Sequence, residues 1–155
     1  MNRKITLGMA AVLFAVGICW AASGNVFMGT WQLNEAKSKT AAGAGKNSTV
    51  AYTMEGDKIK CTIDGTDSSG QAIHSEWTGK FDGKDYPVTG DPVTNMRSYR
   101  LINSHTLSVT EKKDGKVVDT VRIVVSVSGK TRTVTAHERN AKGMPITLVT
   151  VYDKQ

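Results

Sequence analysis

The chain has 155 residues, with 20 Lys and Arg against 14 Asp and Glu and a formal charge of +6 at neutral pH. Two bases sit at the extreme N-terminus, and the rest are interleaved with acids, as in Glu111-Lys112-Lys113-Asp114. That distribution describes a solvated mixed-charge surface and excludes the dense basic stripe of a nucleic-acid binder, so no nucleic-acid partner is expected.

Arg3 and Lys4 precede an apolar run from Ile5 to Trp20, followed by the small residues Ala21, Ala22, Ser23 and Gly24. This is the three-part layout of a secretory signal peptide. Residues 1–24 are therefore expected to be removed on export, leaving a periplasmic or secreted domain over 25–155. The apolar run is shorter than the roughly 20 residues a membrane helix needs, so no stable transmembrane span is expected after processing; an uncleaved N-terminal anchor is the alternative. Lipid attachment at Cys19 is disfavoured by the bulk of Ile18 before it. Cys61 is then the sole cysteine of the domain and has no partner for an intrachain disulfide. Flanked at strand spacing by Ile59 and Ile63, it reads as a small buried hydrophobe.

From residue 27 onward almost every segment has a period of two, the signature of half-buried strands. Phe27, Gly29, Trp31 and Leu33 share one parity. Asn34 to Lys46 breaks the rhythm, with Glu35 to Lys39 able to form a helical turn or a loop. Val50, Tyr52 and Met54 follow, then Ile59, Cys61 and Ile63, then Ile73, Ser75, Trp77, Gly79 and Phe81. Asp85 to Pro92 carries two prolines and reads as an irregular edge or loop. Tyr99 and Leu101 precede a turn near Asn103, and Leu107 and Val109 come after it. Val117, Asp119, Val121, Ile123, Val125 and Val127 form the longest predicted strand, Val134 and Ala136 mark the next, and Ile146 to Tyr152 the last. Tight-turn signals punctuate these runs at Glu55-Gly56-Asp57, Asp64-Gly65, Ser69-Gly70, Asp82-Gly83, Asp114-Gly115, Ser128-Gly129 and Lys142-Gly143. The count comes to about ten strands by this turn-to-turn spacing.

Sequential strands joined by short turns make an up-and-down meander, and closure removes its two vulnerable edges. The expected fold is all-β: a single up-and-down antiparallel barrel of about eight to ten strands. Phe27-Met28-Gly29-Thr30-Trp31-Gln32-Leu33 resembles the opening strand of the calycin group, the lipocalins and intracellular fatty-acid-binding proteins. Thr150-Val151-Tyr152-Asp153-Lys154 resembles the closing strand of the fatty-acid-binding branch. The mature chain is also similar to small exported bacterial lipocalin-like proteins, with Lys80-Phe81-Asp82-Gly83-Lys84-Asp85-Tyr86-Pro87 as a shared phrase. The resemblance implies a calycin-like barrel. It does not carry over a fatty-acid function, because the arginine that branch places two residues before the closing tyrosine is Thr150 here.

By the same resemblance Gly29 and Trp31 form the barrel floor, with Arg122 as the cation packed on the indole and Arg132 as second candidate. Tyr52, Trp77, Tyr99 and Tyr152 occupy inward positions and are candidate ligand residues, either lining a pocket or filling a core. Arg97 and Arg100 have opposite parity, so one points inward, where a buried cation needs an anion; Arg100 is the candidate ligand residue. His74, His105 and His137 lack metal-ligand spacing, and no nucleophile or phosphate-loop motif occurs. Neither catalytic residues, nor a metal, nor a cofactor is therefore expected. The reading is a monomeric, non-catalytic, exported protein holding a small apolar or amphipathic ligand in its lumen. The alternative is an envelope-associated or secreted interaction protein with a side-chain-filled barrel, using the Asn34–Lys46 and Tyr86–Asn95 segments.

Overall fold

A computed structural model of the chain describes residues 25–139 and 144–155. The expected signal segment and the Lys142-Gly143 turn lie outside the described residues.

Ten strands follow one another: β1 (Gly29–Leu33), β2 (Lys46–Glu55), β3 (Lys58–Thr66), β4 (Ala72–Gly79), β5 (Tyr86–Thr89), β6 (Met96–Asn103), β7 (Thr106–Lys113), β8 (Lys116–Val125), β9 (Thr131–Arg139) and β10 (Pro145–Lys154). Each pairs antiparallel with its successor, and β1 pairs with β10 through Trp31↔Lys154 and Leu33↔Tyr152, closing the barrel. The sheet thus has no free edge, as the meander argument requires. The fold is the expected all-β up-and-down barrel, and its closed antiparallel form is consistent with a calycin-like architecture.

Turn chemistry sets the register. Asp114 and Gly115 both have positive φ, 50° and 79°, between the paired Lys113 and Lys116 of β7 and β8. A two-residue turn of that hand matches the twist of its strands. Asp64-Gly65 behaves differently from its sequence signal: both residues lie inside β3. Gly65 is there because the β2 backbone crowds it at the Asn47/Thr49 bulge, so that a Cβ would stand 1.9 Å from the Lys46 carbonyl oxygen. Val127 also departs from expectation. β8 ends at Val125, and Val127 is exposed in the turn beyond it. A register shift between Glu111 and Lys112 leaves Val117 exposed as well. Met54, next to the β2–β3 turn, projects past the packed interior and is exposed.

The Asn34–Lys46 segment contains a single 3-10 turn, Glu35–Lys37. Asn34 caps it, its Oδ1 accepting from the Lys37 backbone N–H at 3.1 Å. Lys39 bridges to Val149 of β10 by backbone hydrogen bonds. The outer face is stitched by ion pairs such as Lys60–Glu76 at 2.7 Å and Lys112–Asp85 at 2.6 Å, which contribute little individually to stability.

The inward parity divides the lumen in two. Near the β1 N-terminus Phe27, Trp31, Tyr52, Trp77, Phe81 and Tyr99 pack into a continuous aromatic floor. Trp77 and Tyr99 have ring centroids 4.5 Å apart, and Phe27 meets Phe81 edge-on at 5.8 Å. Both buried indoles are satisfied: Trp31 Nε1 donates to the Phe27 carbonyl at 2.9 Å and Trp77 Nε1 to the Arg97 carbonyl at 2.8 Å. The other half of the lumen is where a site can form.

Candidate lumenal site

Four neighbouring strands build one wall. Across β7, β8, β9 and β10 the ladder aligns Val109 with Val121, Val121 with Ala136, and Ala136 with Leu148. One step toward the floor, Ile123 aligns with Val134 and Val134 with Thr150. These side chains line a cavity of about 360 Å³, lined also by residues of the Asn34–Lys46 segment, including Ser38, Thr40 and Ala44. Apolar walls of this kind suit the body of a small ligand.

Polar groups stand at both ends. At the floor end, Arg132 faces Val125 on one side and Tyr152 on the other. Its residue exposure is 5%. The guanidinium carbon lies 5.3 Å from the Tyr52 ring centroid and 5.1 Å from that of Tyr152, a doubled cation–π contact. Nε and Nη1 are buried without a hydrogen-bond partner, and no carboxylate among the described residues makes an ion pair with this arginine. Nor do its neighbours supply a counter-charge. Burial pushes the hydroxyls of Tyr52, Tyr99 and Tyr152 and the thiol of Cys61 up from their ordinary ranges, so all four stay neutral. Cys61 is the buried small hydrophobe its strand spacing predicts.

At the outer end, Arg97 on β6, Glu111 on β7 and Asp119 on β8 lie side by side in register. Arg97 is buried and doubly engaged. Its Nη2 donates to Asp91 Oδ2 at 3.1 Å, and its Nε stands 2.8 Å from Glu111 Oε1. That second contact is an ion pair by proximity, off the in-plane direction of a hydrogen bond. Burial raises the Glu111 carboxyl and the Arg97 guanidinium pulls it back. Burial also raises Asp119, whose Oδ1 accepts from the Thr120 backbone N–H at 2.6 Å.

Of the candidate ligand residues, Tyr99 and Tyr152 line the cavity. Tyr52 and Trp77 do not; their rings are packed into the floor. Arg100 is exposed, and the inward arginine of β6 is Arg97. The reason is parity: Arg97 and Tyr99 share the lumenal face, and Arg100 lies on the outside against Gly83. Arg122 is also exposed. The lumenal parity of β8 is Val121, Ile123 and Val125, which sends Arg122 outward. The cation over Trp31 is instead Lys154, its Nζ 5.0 Å from the ring and its residue paired with Trp31 in the β1–β10 ladder. Gly29 opens β1 with φ 101°, a conformation natural only to glycine, and Lys154 Cε passes 3.1 Å from where a Cβ would be.

Arg132 is the residue that sequence reasoning placed too low. The signal was present in Arg132, Val134 and Ala136, which share one parity between outward threonines. The histidines stay apart. His74 Nδ1 sits 2.6 Å from Asp64 Oδ1 on the exposed face, a contact that raises its pKa. His105 bonds the Val125 carbonyl and His137 meets Thr147. No group of three metal-ligating side chains occurs among the described residues. No protein-family model matches the chain, and no curated protein matches it.

Proposed function

We propose that this is an exported, calycin-like, non-catalytic binding protein that holds a small amphipathic molecule in its lumen with an anionic end inward. The observation that carries this reading is Arg132: a guanidinium buried without counter-charge at the floor end of a cavity whose β7–β10 wall is largely apolar. An unpaired buried charge is costly unless an opposite charge and hydrogen bonds meet it, and a bound carboxylate would supply both. At water's share of roughly 30 Å³ per heavy atom, a cavity of about 360 Å³ accommodates about a dozen non-hydrogen atoms. A binding role is favoured over catalysis because the lumenal carboxylates, Glu111 and Asp119, lie at the opposite end from Arg132, so no acid–base pair converges beside the cation. The resemblance of the β1 and β10 segments to calycin strands supports the family reading, and the composition of the 1–24 segment supports export.

Isothermal titration of the 25–155 protein with undecanoate tests the reading. Saturable binding of one equivalent is expected, weakened at least tenfold in Arg132→Met. A titration without saturable heat up to millimolar ligand would return the protein to the second reading, a filled barrel acting through its outer surface. The aromatic packing of the floor half is the observation in that reading's favour.

A further inference from the structure

The two ends of the lumen differ in sign. At the floor end stands one cation, Arg132, nine-tenths buried, unpartnered at two nitrogens and lining the cavity. At the outer end stand three carboxylates, Asp91, Glu111 and Asp119, and a single guanidinium, Arg97, which pairs with the first two. Asp119 has no ion-pair partner among the described residues. The remaining bases near that end do not redress the balance: Lys46 is held by Glu35 at 2.9 Å, and the pull of His137 on Asp119 is smaller than the opposing effect of burial. Glu111 and Asp119 both line the same cavity as Arg132.

Register gives the span. Asp119 and Val125 lie six residues apart on β8, and Val125 is the cross-strand partner of Arg132. At about 3.3 Å per residue that is about 20 Å along the strand, or about 15 Å along the axis of a barrel whose strands tilt by the usual 35–45°. An extended chain of about eleven carbons bridges it.

We infer that the lumen selects an amphiphile of opposite-charged ends, with a carboxylate at Arg132 and an ammonium or similar cation at Glu111 and Asp119, and that it rejects a ligand anionic at both ends. The inference rests on the lumenal-binding reading above and adds the second end of the ligand. Burial sharpens the selection. Carboxylates drawn partly out of water gain more from an arriving cation, and lose more to an arriving anion, than solvated ones.

Three ligands of equal chain length test it by calorimetry at neutral pH and low salt: 11-aminoundecanoate, undecanoate and undecanedioate. The aminocarboxylate is expected to bind at least tenfold tighter than undecanoate, and the dicarboxylate at least tenfold weaker. In Asp119→Asn the spread should shrink at both ends, chiefly by rescue of the dicarboxylate. Equal affinity for all three, or tightest binding of the dicarboxylate, overturns the inference while leaving lumenal binding of undecanoate standing. Binding of none of the three removes the lumenal reading itself and this inference with it. Should Asp119→Asn fail to fold, the order of the three ligands on the unmodified protein decides alone.

Discussion

Arg132 of β9 and Tyr152 of β10 are cross-strand partners, with the guanidinium carbon 5.1 Å from the tyrosine ring centroid. The closing strand therefore has a cation beside its tyrosine, delivered from the neighbouring strand. Thr150, two residues before Tyr152, lines the cavity wall in its place. The consequence for stability is direct. Arg132 has no carboxylate partner, so replacing it by an apolar residue of similar length removes a desolvation penalty. Arg132→Met is expected to raise the unfolding free energy of the ligand-free protein by about 1–3 kcal/mol, read from urea denaturation with an unchanged slope. The same variant is expected to lose undecanoate binding. Stability gained where binding is lost is the pattern of a group kept for a ligand; a destabilised Arg132→Met would instead make the two tyrosine contacts structural.

Trp31 is fully buried, satisfied by the Phe27 carbonyl and covered by Lys154. Trp31→Ala is expected to cost about 3–5 kcal/mol, the usual range for a buried large aromatic. Lys154→Met removes the charge above the ring and a long hydrogen bond from Nζ to the Val26 carbonyl at 3.4 Å, and is expected to cost about 0.5–1 kcal/mol, the worth of an exposed cation–π contact. A double-mutant cycle separates the two. With the indole already gone, the cost of Lys154→Met should shrink markedly, and an undiminished cost would place its effect in the Val26 contact rather than the ring.

These two sites mark where the sequence was legible and where it was not. Strand parity and turn signals are local, and they determine the number of strands and which side chains face inward, because each inward residue is specified by its neighbours two positions away. The cation over Trp31 depends on β1–β10 register, a contact between the chain's two ends that no local pattern encodes; hence Arg122 looked plausible and Lys154 did not. Arg97 against Arg100 was decidable from the inward parity of Tyr99 alone. The division of the lumen was not. Whether Tyr52 and Trp77 line a pocket or fill a floor depends on how the rings of Phe27, Tyr52, Trp77, Phe81 and Tyr99 pack together from distant parts of the chain.

Gly79 ends β4 beneath two aromatic rings. A Cβ there would stand 2.6 Å from Trp77 Cζ2 and 2.6 Å from the Tyr86 ring. Those rings are themselves packed edge-on, with centroids 5.8 Å apart. Trp77 cannot yield without disturbing its contact with Tyr99, and Tyr86 is held through its hydroxyl, which donates to Asp82 Oδ2 at 3.0 Å. Gly79→Ala is expected to destabilise by about 1–3 kcal/mol through overpacking, a sign opposite to the small gain that replacing a glycine gives where space allows. Thermal unfolding followed by near-ultraviolet circular dichroism would register both the loss of stability and the altered tryptophan environment.

Asp119 links the outer end of the lumen to pH. Burial raises its carboxyl above the ordinary value of 3.8 and raises Glu111 above 4.5. Between the unfolded and the raised folded values the native state holds more protons than the unfolded chain, so these two groups make stability fall as pH rises. Their contribution is fully present below the unfolded values and is lost as pH climbs through the folded ones. The surface carboxylates Asp57, Glu76 and Asp153 have the reverse sign, since hydrogen bonds to Lys80, Lys60 and Asn34 lower them, and the profile of the unmodified protein mixes both. Subtraction isolates Asp119. Asn in its place keeps the oxygen that accepts from Thr120 and cannot ionise. The stability of Asp119→Asn relative to the parent should therefore climb from pH 3.5 to pH 7 in paired urea titrations. A flat difference over that range would mean the Asp119 carboxyl is solvated in the native state, and a declining one that its carboxylate is stabilised there. In the flat case the outer end of the lumen would lack the partly buried negative charge on which ligand selection depends.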